Sequence, residues 1–218
     1  MKTNPSTYEQ DGNEYSRITS ILNTIPKPAL SYWFQEKAAQ GAIMALKNGL
    51  SDNEAFRFAM GAADLASRDA REKGTTVHEY VRASNVGATI ALNEIVDPGV
   101  KLKVEVWLKF RGEHQWKSMA QEKTLFSEKY KVAGTLDNFG EFDGVLGVDD
   151  FKTGGVYDSA FVQLAAYNEM LKENGLIDKD IPLRVFQITD EEVVIHTPET
   201  FWKKGGKNAK QECHIPTH

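Results

Sequence analysis

Two aspartates and one lysine carry the chemistry most legible in this chain. Asp137 ends the segment Gly134-Thr135-Leu136-Asp137. Asp150 and Lys152 stand in Val148-Asp149-Asp150-Phe151-Lys152-Thr153-Gly154. Residues two apart on a strand point to one face, so Asp150 and Lys152 share a side. If the strand closed by Asp137 pairs with the strand holding Asp150, two carboxylates and an amine converge. Two hard oxygen donors suit Mg2+ or Mn2+, which take oxygen ligands and keep several waters. A lysine beside such an ion can orient a water or stabilise charge on a phosphate. Together these parts suit hydrolysis of a phosphodiester. The same residues have a plainer reading. Asp-x-Lys on a strand is commonly a solvated face with a surface ion pair, and Asp137 also suits the start of a turn.

Other side chains add to the pattern. His78 follows Gly74 by four residues, early in a helical stretch. Gln163 and Tyr167 are four apart and share a helix face. Glu122 lies on a strand before Asp137. Taken singly, these are a satisfied or exposed histidine, a pair at the core boundary and a glutamate facing water.

Taken in order they form a set. Gly-x-x-x-His (Gly74, His78), Glu122, Ala133-Gly-Thr-Leu-Asp137, Asp150-Phe-Lys-Thr-Gly154 and Gln-x-x-x-Tyr (Gln163, Tyr167) resemble the RecB-like branch of the PD-(D/E)xK nuclease superfamily. Lambda-type exonucleases and CRISPR adaptation nucleases are relatives in that branch. The likeness covers about residues 74–170. A weaker echo lies in Arg17 to Leu22 and in the helix start from Pro28 to Trp33. The resemblance implies a restriction-endonuclease-like core: a three-stranded antiparallel meander, a helix and further strands. It implies that Asp137 and Asp150 bind metal with His78, that the Phe151 carbonyl completes the coordination, and that Lys152 is the catalytic lysine. Gln163 and Tyr167 would buttress the site or contact the DNA backbone. Glu122 would bind a second ion or hydrogen-bond the lysine. Many members of this branch carry a four-cysteine iron–sulfur cluster; this chain has only Cys213 and resembles the cluster-free members. No Gly-x-x-x-x-Gly-Lys-Ser/Thr loop of a helicase motor is present.

Apolar spacing gives the elements that must position these residues. Helices are expected from Pro28 to about Asn48 and from Ser51, where Glu54 completes a capping box. Gly74 breaks the pattern. Thr75 or Thr76 then restarts a helix to about Val96, and a fourth runs from Val100 to Trp116, with strand as its alternative. Strands follow at Met119–Phe126, Lys129–Asp137 and Val145–Thr153, with Asn138–Gly144 as the hairpin turn. A helix from Val156 to Glu173 leads to strands Leu183–Ile188 and Val193–Thr197. The fold class is α+β. Residues 1–16 read as a flexible N-terminus and 203–218 as a flexible tail. Between them, 17–202 reads as one domain, mainly helical to 116 and a mixed sheet core from 117.

Composition bounds the rest. The 218 residues are 41% apolar and 26% charged, as in soluble globular chains. One cysteine excludes an intramolecular disulfide framework and a four-cysteine zinc site. The polar N-terminus, with no long apolar run, reads as neither secretory nor membrane-bound. A cytoplasmic location is expected, the host cytoplasm if phage-encoded. The net charge of −5 argues mildly against a surface that grips nucleic acid as a whole. Locally, Lys101, Lys103, Lys109, Arg111, Lys117, Lys123, Lys129 and Lys131 outnumber the acids of residues 101–131. Such a rim can hold phosphates, and Trp33, Trp107, Trp116 and Tyr130 can stack bases or pack in the core. The expected activity is Mg2+-dependent DNA exonuclease, on DNA with a free end, in recombination, repair or phage DNA processing. An endonuclease with the same site and a non-catalytic DNA-end-binding protein are the alternatives. A recombination partner protein and an oligomer are compatible with that reading.

Overall fold

The computed structural model describes residues 6–203. The chain divides into two compact units, Met1–Ile25 with Val77–His218, and Pro26–Thr76. Residues 17–202, read from sequence as one domain, therefore contribute to both. The architecture is α+β with a mixed sheet, and about half of the described residues are helical.

Helix α2 (Pro28–Lys47) and the first part of α3 (Asp52–Asn85) make the Pro26–Thr76 unit. Pro28 opens α2, where its missing N–H is no loss. At the start of α3, Glu54 accepts from both the backbone N–H and the hydroxyl of Ser51, as the capping box requires. A Cβ on Gly41 would lie 2.6 Å from that of Ala62, so glycine here admits the close helix approach. The expected break at Gly74 does not occur. The Thr75 and Thr76 hydroxyls bond back to the carbonyls of Arg71 and Glu72 inside one continuous helix. One glycine costs a helix only about 1 kcal/mol, too little to stop an amphipathic stretch. The helix ends at Asn85, well before Val96. Gly87 takes a left-handed φ of 84°, and Ala88 N–H returns to the Ala83 carbonyl.

The larger unit is built on seven strands. Strands β3 (Trp116–Ser127), β4 (Val132–Phe142) and β5 (Val145–Lys152) form an antiparallel meander. The β4–β5 turn is Asp143-Gly144 alone, both with positive φ, as a tight type I′ hairpin demands. β4 is therefore longer than expected, and Asp137 lies inside it rather than closing it. Helix α5 (Asp158–Glu173) carries the chain to β6 (Leu183–Ile188), parallel to β5, and β7 (Val193–His196) pairs with β6 antiparallel. Helix α4 (Pro98–Glu113) is capped by Asp97, which accepts from Val100 N–H; it stops before Trp116, which opens β3. A short helix, α6 (Pro198–Lys203), follows β7.

Residues 7–17 correct the expectation of a loose N-terminus. They form β1 (Thr7–Gln10) and β2 (Asn13–Arg17), a hairpin turning at Asp11-Gly12, and β2 runs parallel to the start of β4 before α1 (Ile18–Leu22). The segment is polar because much of it faces water, but Tyr15 is buried against Phe126 and its hydroxyl donates to Glu128. The tail from 204, with Cys213, lies outside the described residues.

The sheet is covered on both faces. Leu136, Val148, Val185, Leu164, Phe161 and Leu171 fill one core. Val77, Val81, Trp107, Phe151 and Phe186 fill the other. Trp107 is wholly buried with its indole N–H on Ser84 Oγ, so it is core rather than a platform for bases. No helix of the described residues is long and apolar enough to cross a membrane.

Candidate functional site

The candidate residues gather where β4 and β5 part. Backbone pairing between them runs from Phe142↔Val145 to Asn138↔Asp149 and ends there. Past that point β5 stays paired to β6 on its other edge. In the fork, the Asp137 carboxylate takes the place of a backbone partner and accepts the Phe151 N–H at 3.0 Å. Asp150 and Lys152 share a side of β5, and Nζ donates to Oδ1 at 2.6 Å. Nζ is equally close to Oδ2, yet that oxygen is buried and accepts no hydrogen bond, because only Oδ1 is suitably oriented.

The adjacent acids have separate tasks. Asp149 Oδ1 accepts from Arg184 Nε at 2.6 Å and Oδ2 from Asn138 Nδ2 at 2.7 Å, both buried. Arg184 fits because Gly147 has no Cβ; one there would lie 2.6 Å from its guanidinium. Asp149 is thus engaged in the sheet by Arg184 and Asn138, whereas Asp150 pairs with Lys152 alone among the described residues. Nothing in the Asp-Asp sequence distinguishes the two; the partner from β6 does.

His78, on α3, brings Nδ1 to 3.8 Å from Asp137 Oδ2. That is ion-pair distance, but burial pushes the imidazole below its ordinary value and the Asp137 carboxyl above its own. Burial also lifts Asp150 to about 6 against the pull of Lys152. Burial opposes the Lys152 charge too, but Asp150 and Asp137 outweigh it and hold the amine above the ordinary lysine value. The ring of His78 stands edge-on to that of Phe151, 6.3 Å between centres, and the Phe151 side chain is sunk among Trp107 and Phe186.

Tyr167 is buried on α5. Its hydroxyl donates to the Thr135 carbonyl at 2.7 Å and accepts from Gln163 at 3.0 Å, so this pair props β4 two residues before Asp137. Gly134 leaves room for the ring; a Cβ would stand 2.7 Å from it. Glu122 sits opposite, at a left-handed φ of 47° in β3, with Arg82 Nη1 3.9 Å from its carboxylate. Its charge raises the Asp137 carboxyl further. Arg82 follows His78 by one helical turn and was not singled out from sequence; the i,i+4 spacing from His78 is the signal that could have found it.

Two carboxylates, a neutral imidazole and a backbone carbonyl suit a small hard cation, and Asp150 Oδ2 accepts no hydrogen bond although Lys152 Nζ lies 2.6 Å from it. Among the described residues, no group of three or more His, Cys, Asp or Glu side chains is arranged to hold a metal ion. Mg2+ needs only one or two carboxylates and retains waters, so this open set fits it. The basic segment 101–131 divides: Lys103, Lys117 and Lys131 pair with Asp190, Glu141 and Glu128, while Lys101, Lys109 and Lys123 pair with no described residue.

No family model matches the chain, and no curated protein is significantly similar to it.

Proposed function

We propose that the chain is a metal-dependent deoxyribonuclease of the RecB-like, cluster-free type, with a restriction-endonuclease-like core, acting as an exonuclease on DNA with a free end. The observation that supports this reading is the convergence of Asp137, Asp150, Lys152 and His78 at one fork in the sheet. Asp137, Asp150, His78 and the Phe151 carbonyl would hold Mg2+ or Mn2+. The bound ion would supply neutralisation of phosphate charge in an otherwise acidic site.

The chain's own groups do the rest. Lys152, kept protonated by two carboxylates, presents a fixed positive charge and donors to the attacking water or the scissile phosphate. Neutral His78 offers a lone pair rather than a competing charge. The Gln163–Tyr167 prop holds the Asp137 strand in register with β5. Arg82, with Lys101, Lys109 and Lys123, which pair with no described residue, supplies positive charge for backbone phosphates. Recombination, repair or phage DNA processing, with a partner protein or in an oligomer, is the setting we infer from the resemblance.

Linear and circular duplexes, each with Mg2+ or chelator, test the reading. Loss of the linear form alone, abolished by chelator and by Asp150→Asn, is expected. Cut circles would replace the exonuclease with an endonuclease. A gel shift without cleavage would leave a DNA-end binder.

A further inference from the structure

The N-terminal hairpin brings a second group of side chains beside the fork. The Arg17 guanidinium lies 4.2 Å above the centre of the Tyr8 ring. Its Nε is buried without a hydrogen-bond partner, and no described carboxylate pairs with it. The Tyr8 hydroxyl is 3.0 Å from Thr135 Oγ1, which is itself 3.0 Å from Thr124 Oγ1. Three hydroxyls joined by two hydrogen bonds leave one O–H proton to donate outward. Thr135 precedes Asp137 by two residues on β4, roughly 6.6 Å along a strand.

We propose that Arg17, Tyr8 and Thr135 form a subsite for a phosphate group of the substrate strand, the neighbour of the phosphodiester that is cut. An arginine fork binds phosphate through two parallel N–H donors, and stacking on Tyr8 fixes the plane of that fork. Nε itself is buried, so phosphate would meet the guanidinium at its Nη donors, which no described residue engages. The spare hydroxyl proton supplies a further donor beside it. The distance from Thr135 to Asp137 is of the order that separates successive phosphates on one strand. The arrangement also gives the polar hairpin a task, since β2 joins β4 through only two residue pairs, Ser16↔Val132 and Arg17↔Ala133. The position next to the scissile bond rests on the nuclease reading; the capture of phosphate does not.

Two measurements separate them. Inorganic phosphate is titrated into the metal-free protein while the Arg17 Nε–H resonance is followed, assigned by its loss in Arg17→Lys. A saturable shift, weakened in Tyr8→Phe, is expected; an unmoved resonance overturns the subsite whatever the enzyme does. Binding of a DNA oligomer is then measured with Ca2+ in place of Mg2+. Arg17→Gln, at an unchanged unfolding midpoint, is expected to weaken binding roughly 3–10-fold and lower the salt slope by about 0.7–0.9. A methylphosphonate at the neighbouring position should weaken wild type equally and Arg17→Gln no further. An equal loss in both proteins overturns the placement. If wild-type protein cuts no DNA with Mg2+, the nuclease reading falls and the phosphate titration still decides the subsite.

Discussion

At Asp150 the fold holds a carboxylate where its charge is opposed by burial, with the carboxyl at about 6 even beside Lys152. A folded value above the unfolded one means that stability is full below about pH 4 and is lost as pH rises through about 6. Metal-free Asp150→Asn should therefore be more stable than wild type at pH 8, by about 1–3 kcal/mol, and the gap should close toward pH 4. Thermal unfolding in chelator checks this; a variant less stable at pH 8 would mean that the Lys152 contact outweighs the burial. The same substitution should lower Mg2+-dependent cleavage by about 100-fold or more. Lys152→Ala should lose turnover similarly while still binding Mg2+ by calorimetry, because it removes charge at the phosphate and no metal donor.

Elements decide whether those side chains meet. Tyr167 ties α5 to β4 through the Thr135 carbonyl. Tyr167→Phe should cost about 1 kcal/mol in denaturant unfolding, because it leaves that carbonyl without its donor. It should also reduce cleavage, since Asp137 follows two residues later. Gly134→Ala drives a methyl into the Tyr167 ring and should cost about 1–3 kcal/mol. Wild-type stability in both variants would show that α5 does not support the fork.

For the molecule as a whole, a ligand that binds only the folded state stabilises it. Mg2+ at ten times its Kd should add about 1.4 kcal/mol to wild type and little to Asp150→Asn. Scans with and without the ion read this difference, and an equal shift in both proteins would place the ion elsewhere. The net charge of −5 is a poor guide to a nucleic-acid partner. The acids include Asp149, which Arg184 engages, while Arg17 and Lys123 pair with no described carboxylate.

Local rules account for part of the site and of the fold. Two-residue alternation put Asp150 and Lys152 on one side, helical spacing put Gln163 beside Tyr167, and the meander with its following helix was legible from apolar runs and turn residues. The polar Thr7–Arg17 hairpin was missed, although Asp11-Gly12 is a strong turn signal, because its stability comes from Tyr15 and from pairing with β4, over a hundred residues away. α3 runs on through Gly74 because a single glycine weighs less than the amphipathic pattern around it. Only the tertiary structure separated Asp149 from Asp150, opened the fork at Asp137, and set Arg17 over Tyr8. Each of those depends on a partner from a distant strand, and no local periodicity encodes which distant strand arrives.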